Sequence, residues 1–371
     1  MSNIVVPYTA LSEEYKINRE DYIAAFDKTL LSGRYILGPE LDKLEIKFAQ
    51  YCQVKYGVGV ATGTDALFLT LRCLDLSSTD EVITAPNSYL ASASAIAIAG
   101  AQPRFADICH CGNLSPEAFE AAITSNTKAV IPVHLTGRPA EMKKILEIAK
   151  KNNIFVIEDA AQAVGATLDG QKIGSWGDAA CFSFHPLKNL RAFGDGGMVV
   201  TKHQWLYEKL RKQRNQGLEN REQCDYWSFN SRLDELQAAF LNIQLRNLNE
   251  QTERRRQAAF RYNKLLHPFV EVPIENPGEV CVYQTYVIKT PSRDALKAYL
   301  NNSGIEALVH YAKPIHMQPA AKYLGYQEND FPHTMKHVSE ILSLPLYPSI
   351  SEQQQQYVVS KVKEFFQEKR S

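Results

Sequence analysis

Between residues 56 and 201 the chain repeats one rhythm, a short apolar run, a turn and then a helical pattern, and that rhythm leaves few folds open. Candidate strands fall at 56–61, 81–85, 102–107, 128–133, 154–158, 179–184 and 197–201. Several are continuous apolar runs, as in Ile154-Phe155-Val156-Ile157, which suits strands buried on both faces. The intervening segments carry apolar residues at helical spacing; 140–152 places Met142, Ile145, Leu146 and Ala149 on one side. Strand and helix in alternation predict an α/β domain around a seven-stranded, mainly parallel sheet. No long helix separates 179–184 from 197–201, so one of these two is expected to run antiparallel.

The character changes after residue 233. Leu233, Leu236, Phe240, Ile243 and Leu248 predict one long helix leaving the sheet, with Arg254-Arg255-Arg256 as a solvated face further along it. A strand at 280–290, a helix at 293–303 and a strand at 307–311 then predict a smaller α+β domain. The expected division is a large domain over 1–245 and a small one over 246–371, with a ligand cleft between them.

Charge narrows the possible partners. Lys plus Arg and Asp plus Glu number 41 each, so no bulk field draws the chain to nucleic acid or to an anionic membrane, and any anion site must be local. The most apolar stretch, 90–99, is half the length needed to span a bilayer and reads as a core helix. The opening Met1-Ser2-Asn3-Ile4-Val5-Val6-Pro7 has no basic stretch followed by an apolar run, so no export signal is expected. The seven scattered cysteines read as reduced thiols, consistent with a cytoplasmic location. Cys109-His110-Cys111 is spaced too tightly for zinc and no second ligand pair follows, so no metal site is expected.

Three segments carry chemistry. The run Ile154 to Ile157 ends in Glu158-Asp159-Ala160-Ala161-Gln162, which sets Asp159 at the carboxyl edge of a strand, where open α/β sheets bind ligands. Gln162, three residues on, lies within one turn of it. Cys181-Phe182-Ser183-Phe184-His185-Pro186-Leu187-Lys188-Asn189 ends another strand, and Pro186 keeps Lys188 on a tight loop. Thr62-Gly63-Thr64-Asp65 joins a strand to a helix start, whose free N–H groups suit a phosphate. An acid, a lysine and a phosphate cradle at one sheet edge are what pyridoxal phosphate requires. The acid keeps the pyridine nitrogen protonated, and a lysine of lowered pKa condenses with the aldehyde. Ser183 can add a hydroxyl to the phosphate.

From about residue 5 to residue 360 the chain resembles the DegT/DnrJ/EryC1/StrS family of sugar aminotransferases, of fold-type I among pyridoxal-phosphate enzymes. The resemblance runs through Ser32-Gly33-Arg34-Tyr35-Ile36-Leu37-Gly38-Pro39, Gly63-Thr64-Asp65-Ala66-Leu67, Glu158 to Gln162, Phe182 to Asn189, Gly194-Asp195-Gly196-Gly197 and Leu236-Gln237-Ala238-Ala239. Pro314-Ile315-His316-Met317-Gln318-Pro319 and Leu342-Ser343-Leu344-Pro345-Leu346-Tyr347-Pro348 extend it. It implies that Lys188 is the catalytic lysine, that Asp159 meets the ring nitrogen, and that Gln162 meets the ring oxygen. It also implies that Gly63, Thr64 and Ser183 hold the phosphate and that Tyr89 stacks on the ring. Asn230 is expected to reach the phosphate of a neighbouring subunit, which makes a homodimer with shared sites the expected assembly. Ser228 stands where many relatives have glycine, and Thr62 where Ser or Asn is commoner.

The implied reaction transfers an amino group, with L-glutamate the expected donor, to a nucleotide-linked keto-sugar. Gly-Asp-Gly-Gly after the lysine leans toward a dTDP-3-keto-6-deoxyhexose. Amination at C4, a sugar dehydration, or a non-catalytic regulator that binds the cofactor are the alternatives. Relatives that dehydrate carry histidine in place of the lysine; here the position is Lys188. Arg34, His310, Tyr311 and His316 are the candidate substrate contacts, and Arg232 is a further cation within reach of a diphosphate or carboxylate.

Overall fold

The computed structural model describes residues 5–368, so Met1 to Ile4 of the opening segment lie outside the described residues. Its centre is a seven-stranded sheet made of β1 (Tyr56–Val60), β2 (Glu81–Thr84), β3 (Gln102–Phe105), β4 (Thr127–Ile131), β5 (Phe155–Asp159), β6 (Ala179–Ser183) and β7 (Gly197–Thr201). The spatial order is β1-β7-β6-β5-β4-β2-β3. Only β7 is reversed, pairing antiparallel with both β1 and β6, because the 13-residue link from β6 holds no crossover helix. All the other strands run the same way, so β1, β2, β4, β5 and β6 deliver their carboxyl ends to one edge.

Both faces of the sheet are covered, which is why its strands read as unbroken apolar runs. On one face Leu41, Leu44 and Phe48 of the Pro39–Tyr51 helix pack on Phe182, Phe184, Met198 and Val200. On the other, Leu67, Leu69 and Leu71 of the Gly63–Arg72 helix pack on Val58, Ile157, Cys181 and Val199.

The long helix is present as Glu235–Leu266, a single element of 32 residues. The 245/246 division falls inside it. Its first half packs under the sheet through Ala238 and Leu241, while Ala259, Tyr262 and Leu266 enter a separate cluster with Tyr286, Ile288, Leu300, Leu342 and Val362. Val6 joins that second cluster and exchanges backbone hydrogen bonds with Gly304 and Glu306. The basic triplet is not one solvated face. Arg254 is exposed beside Glu250, but Arg255 is buried and donates to the Leu346 carbonyl at 2.9 Å, and Arg256 pairs with Glu275.

Two expected strands differ. The 280–290 run is split: Glu279–Val280 pairs with Thr167–Leu168, and Tyr286–Lys289 pairs with Ile341–Leu344. Between them the backbone leaves both sheets, with Tyr283 at φ 45°, and Val282 N–H and Thr285 N–H donate to Gly137 and Thr136 instead. The 307–311 run forms a single bridge, Leu308 to Ser343. The thiol expectation also needs amending, because Cys109 and Cys111 are joined as a disulfide while Cys52, Cys73, Cys181, Cys224 and Cys281 are free. Among the described residues no helix is long and apolar enough to cross a membrane.

Glu235 ties the start of the long helix to the Pro39–Tyr51 helix. Its buried carboxylate accepts from the N–H groups of Gly38, Glu40 and Leu41, and so caps the Pro39–Tyr51 helix from the start of the long helix. Glu235→Ala should lower unfolding free energy by about 3 kcal/mol and Glu235→Gln by about half of that, as measured by urea denaturation.

Candidate active site

The cradle begins where β1 ends. Thr62 adopts extended backbone and its hydroxyl caps the next helix by accepting from Asp65 N–H at 2.9 Å; its carbonyl takes Ala66 N–H. Among the described residues no acceptor takes the N–H groups of Gly63 and Thr64, as the first turn of any helix leaves them. Ser183, at the end of β6, presses against this turn so closely that a Cβ on Gly63 would lie 2.6 Å from the serine Cβ. Glycine is therefore what lets two free N–H groups and a serine hydroxyl share one small space. Ser231 holds the turn from outside, accepting from Ala61 N–H and donating to Asp65.

Glu158 and Asp159 are adjacent on β5 and therefore face opposite sides of the sheet. Glu158 is buried and fully used: Gly174, Trp176 and Gly177 N–H groups donate to it, and the His134 ring lies 3.0 Å away. The His134 Nδ1 accepts from Ala140 N–H, so its Nε2 carries the proton toward Glu158. Asp159 has fewer partners. Ser92 Oγ donates to Oδ2 at 2.8 Å and Ala161 N–H donates to Oδ1 at 3.2 Å. Burial pushes its carboxyl up, against the pull of Ser92, Ala161 and the Lys188 charge. A buried carboxylate with acceptor capacity to spare suits a cationic donor such as a protonated ring nitrogen.

Lys188 sits in the turn that follows β6, its N–H bonded to the His185 carbonyl at 2.8 Å. The surrounding protein pushes its ammonium down to about 8, with Asp159 opposing the shift. Arg191 donates to the Lys188 carbonyl, and Gln244 holds the Arg191 backbone from both sides. Gln162 is buried; its Oε1 accepts from Thr136 N–H at 2.6 Å and its Nε2 donates to Tyr311 Oη at 3.4 Å. Tyr89 is exposed rather than packed into the core, with its ring 5.6 Å from that of Tyr311. His310 Nδ1 lies 2.9 Å from Ser343 Oγ, and burial followed by the Lys188 charge pushes the ring down to about 4, so it is neutral at physiological pH.

The fold thus gathers Gly63, Thr64, Ser183, Asp159, Gln162, Lys188, Tyr89, Tyr311 and His310 around one sheet edge. Three candidates lie apart. Arg34 is on an exposed loop. Asn230 is exposed and bridged to Asn215, which also accepts from Arg232. His316 is buried against Phe331 at 4.8 Å, with neither ring nitrogen bonded among the described residues. Sequence reasoning missed Ser88, Ser92 and Thr136. The first two carry a readable signal, since spacing of four puts both serines on one side of a turn; Thr136, at φ 60° before Gly137, carries none.

A family model described as the DegT/DnrJ/EryC1/StrS aminotransferase family matches residues 16–363. The chain belongs to that family. Its relatives include a protein of Geobacillus stearothermophilus named a pleiotropic regulatory protein, 43% identical over 97% of this chain and 98% of that one. A dTDP-3-amino-3,6-dideoxy-alpha-D-galactopyranose transaminase of Aneurinibacillus thermoaerophilus is 41% identical, covering 97% of this chain and 99% of the relative. The crystal structure of Streptomyces venezuelae DesV with a ketimine intermediate superposes with a TM-score of 0.94 at 39% identity, over 97% of this chain and 98% of that chain. Enzymes of this family depend on pyridoxal phosphate, and the free N–H pair, the buried carboxylate and the low-pKa lysine of this site fit that cofactor.

Two outcomes follow. Gly63→Ala should fold yet bind pyridoxal phosphate at least about tenfold more weakly, read by titrating the apoenzyme. Because the neutral amine is the reactive form, cofactor capture by the apoenzyme should accelerate about tenfold per pH unit and level off above pH about 8, where Lys188 is deprotonated. A plateau reached only near the ordinary lysine value would contradict the lowered pKa.

Proposed function

We propose that this enzyme transfers the amino group of L-glutamate to C3 of a nucleotide-linked 3-keto sugar, a dTDP-3-keto-6-deoxyhexose by preference, through sites shared in a homodimer. The observation that carries the reading is the placement of Lys188 and Asp159 beside one phosphate cradle, with the lysine pushed down to about 8. When bound, pyridoxal phosphate supplies a protonated ring that accepts the electron pair left at the amino-bearing carbon.

The chain's own residues do the rest. Asp159 holds the proton on the ring nitrogen, Gln162 meets the ring oxygen, and Gly63, Thr64 and Ser183 fix the phosphate. Tyr89 covers the ring face. Lys188 Nζ takes the proton from the α-carbon of the amino acid, and in the return half-reaction it delivers one to the sugar carbon. His310 and Tyr311, the latter held by Gln162, border the place where the sugar would lie. Arg34 and His316 lie apart from the cofactor residues within one chain; with Arg232 they are proposed as substrate contacts only of a closed, two-chain site. The cofactor-binding part is proposed over 1–245 and the covering part over 246–371, joined through the single helix Glu235–Leu266.

The choice of C3 rests on Gly194-Asp195-Gly196-Gly197 and on the 3-amino product in the name of the Aneurinibacillus relative. A shared site is supported by the surface around Asn230, where Trp227 is 91% exposed and Phe229 is exposed beside it, and by Leu31, 89% exposed, on the Arg19–Ser32 helix. The name of the Geobacillus relative favours one other reading, a regulator that holds the cofactor without turnover.

Glutamate added to the holoenzyme should bleach the visible cofactor band, and Lys188→Ala should abolish both this change and turnover. A band that glutamate leaves intact would favour another donor or the regulatory reading. Co-expressing Lys188→Ala with Asn230→Ala should restore about a quarter of wild-type activity, since half of the random dimers would own one intact site. No recovery above the single variants would remove Asn230 from the partner's site.

A further inference from the structure

We infer that Ser92, with Ser88 behind it, is a positioning residue that keeps the Asp159 carboxylate ionised and aimed at the ring nitrogen, and couples it to the turn that presents Tyr89. The inference rests on the proposed pairing of Asp159 with that nitrogen and goes one shell beyond it.

The geometry is a relay of three buried side chains. Ser88 Oγ donates to Ser92 Oγ at 3.0 Å, and Ser92 Oγ donates to Asp159 Oδ2 at 2.8 Å. Ser92 has no accessible surface and Ser88 almost none, so no water competes for either hydroxyl. A serine that accepts one hydrogen bond while donating another is the stronger donor, because each bond polarises the next. Burial by itself favours the protonated acid at Asp159, a neutral form that no longer stabilises the charge of a protonated ring nitrogen. Among the described residues only Ser92 and the Ala161 N–H donate hydrogen bonds to the carboxylate, and Ser92 makes the shorter one.

The relay also has a mechanical side. Ser88 immediately precedes Tyr89, and Ser92 lies in the first turn of the Ala91–Ile98 helix. This turn is fixed at two points, by Asn87 Nδ2 donating to Gly112 at 2.7 Å and by Ile315 N–H donating to Pro86 at 2.7 Å. The second anchor comes from the C-terminal part of the chain. A carboxylate pinned to this turn is therefore held in register with the tyrosine ring beside it.

The test compares two cofactors on refolding-free reconstituted protein. Wild type, Ser92→Ala, Ser92→Thr, Ser88→Ala and Asp159→Asn are each titrated with pyridoxal phosphate and with its 1-deaza analogue, in which carbon replaces the ring nitrogen. Ser92→Ala should bind pyridoxal phosphate about tenfold more weakly than wild type, the loss expected for one hydrogen bond to a charge, and bind the analogue equally well. Ser92→Thr should restore the difference, and Ser88→Ala should show a smaller loss of the same kind. Equal weakening toward both cofactors, or no weakening, in a Ser92→Ala protein would overturn the inference. Asp159→Asn separates the two levels. If it discriminates between the cofactors and Ser92→Ala does not, the relay fails alone; if it does not discriminate, the pairing of Asp159 with the ring nitrogen fails and the relay with it.

Discussion

A parallel strand cannot return along its neighbour, so every parallel strand must leave its sheet at the same edge. That constraint builds this site. β1 releases Thr62 and Gly63, β2 the turn with Ser88 and Tyr89, and β4 the loop with Thr136. β5 ends in Asp159, and β6 ends in Ser183 and leads to Lys188. Residues 62 and 188, more than a hundred positions apart, meet because of strand direction, and the price is a layer of apolar packing on both faces of the sheet.

Within that edge, the pleat sorts two neighbouring acids into opposite uses. Glu158 turns toward His134 and three N–H groups, and its bonding capacity is spent inside the protein. Asp159 turns the other way, where two donors leave part of the carboxylate for a ligand. One residue of register decides which acid is structural. The same economy shows at Gly63, where absence of a side chain allows Ser183 to close the cradle without covering the free N–H groups.

Much of this was legible. The seven runs correspond to seven strands, and the shift of Asp159 from strand edge into strand is a matter of one residue. The lysine, acid and cradle were visible because each needs a distinctive local sequence: a strand that stops, a proline-broken loop, a glycine at a helix start. The failures were those of elements whose partners are distant. The 280–290 run has the alternation of a strand, but its middle is captured by the Thr136–Gly137 loop. Arg255 sits in a basic triplet, yet the Leu346 carbonyl draws it into the interior. Cys109 and Cys111 are two residues apart in a chain whose other thiols are free, and nothing in their spacing announced a bond.

Local chemistry therefore determined which residues could serve: the sequence by itself specified the strand-helix rhythm, the lysine on its loop, the acid at its edge and the glycine turn, because period and steric permission are properties of short segments. Tertiary structure alone decided their electrostatics and their neighbours. The depression of Lys188, the spare capacity of Asp159, the Ser88–Ser92 relay and the separation of His316 from the other candidates all depend on burial and on contacts between segments far apart in the chain, which no short window of sequence contains.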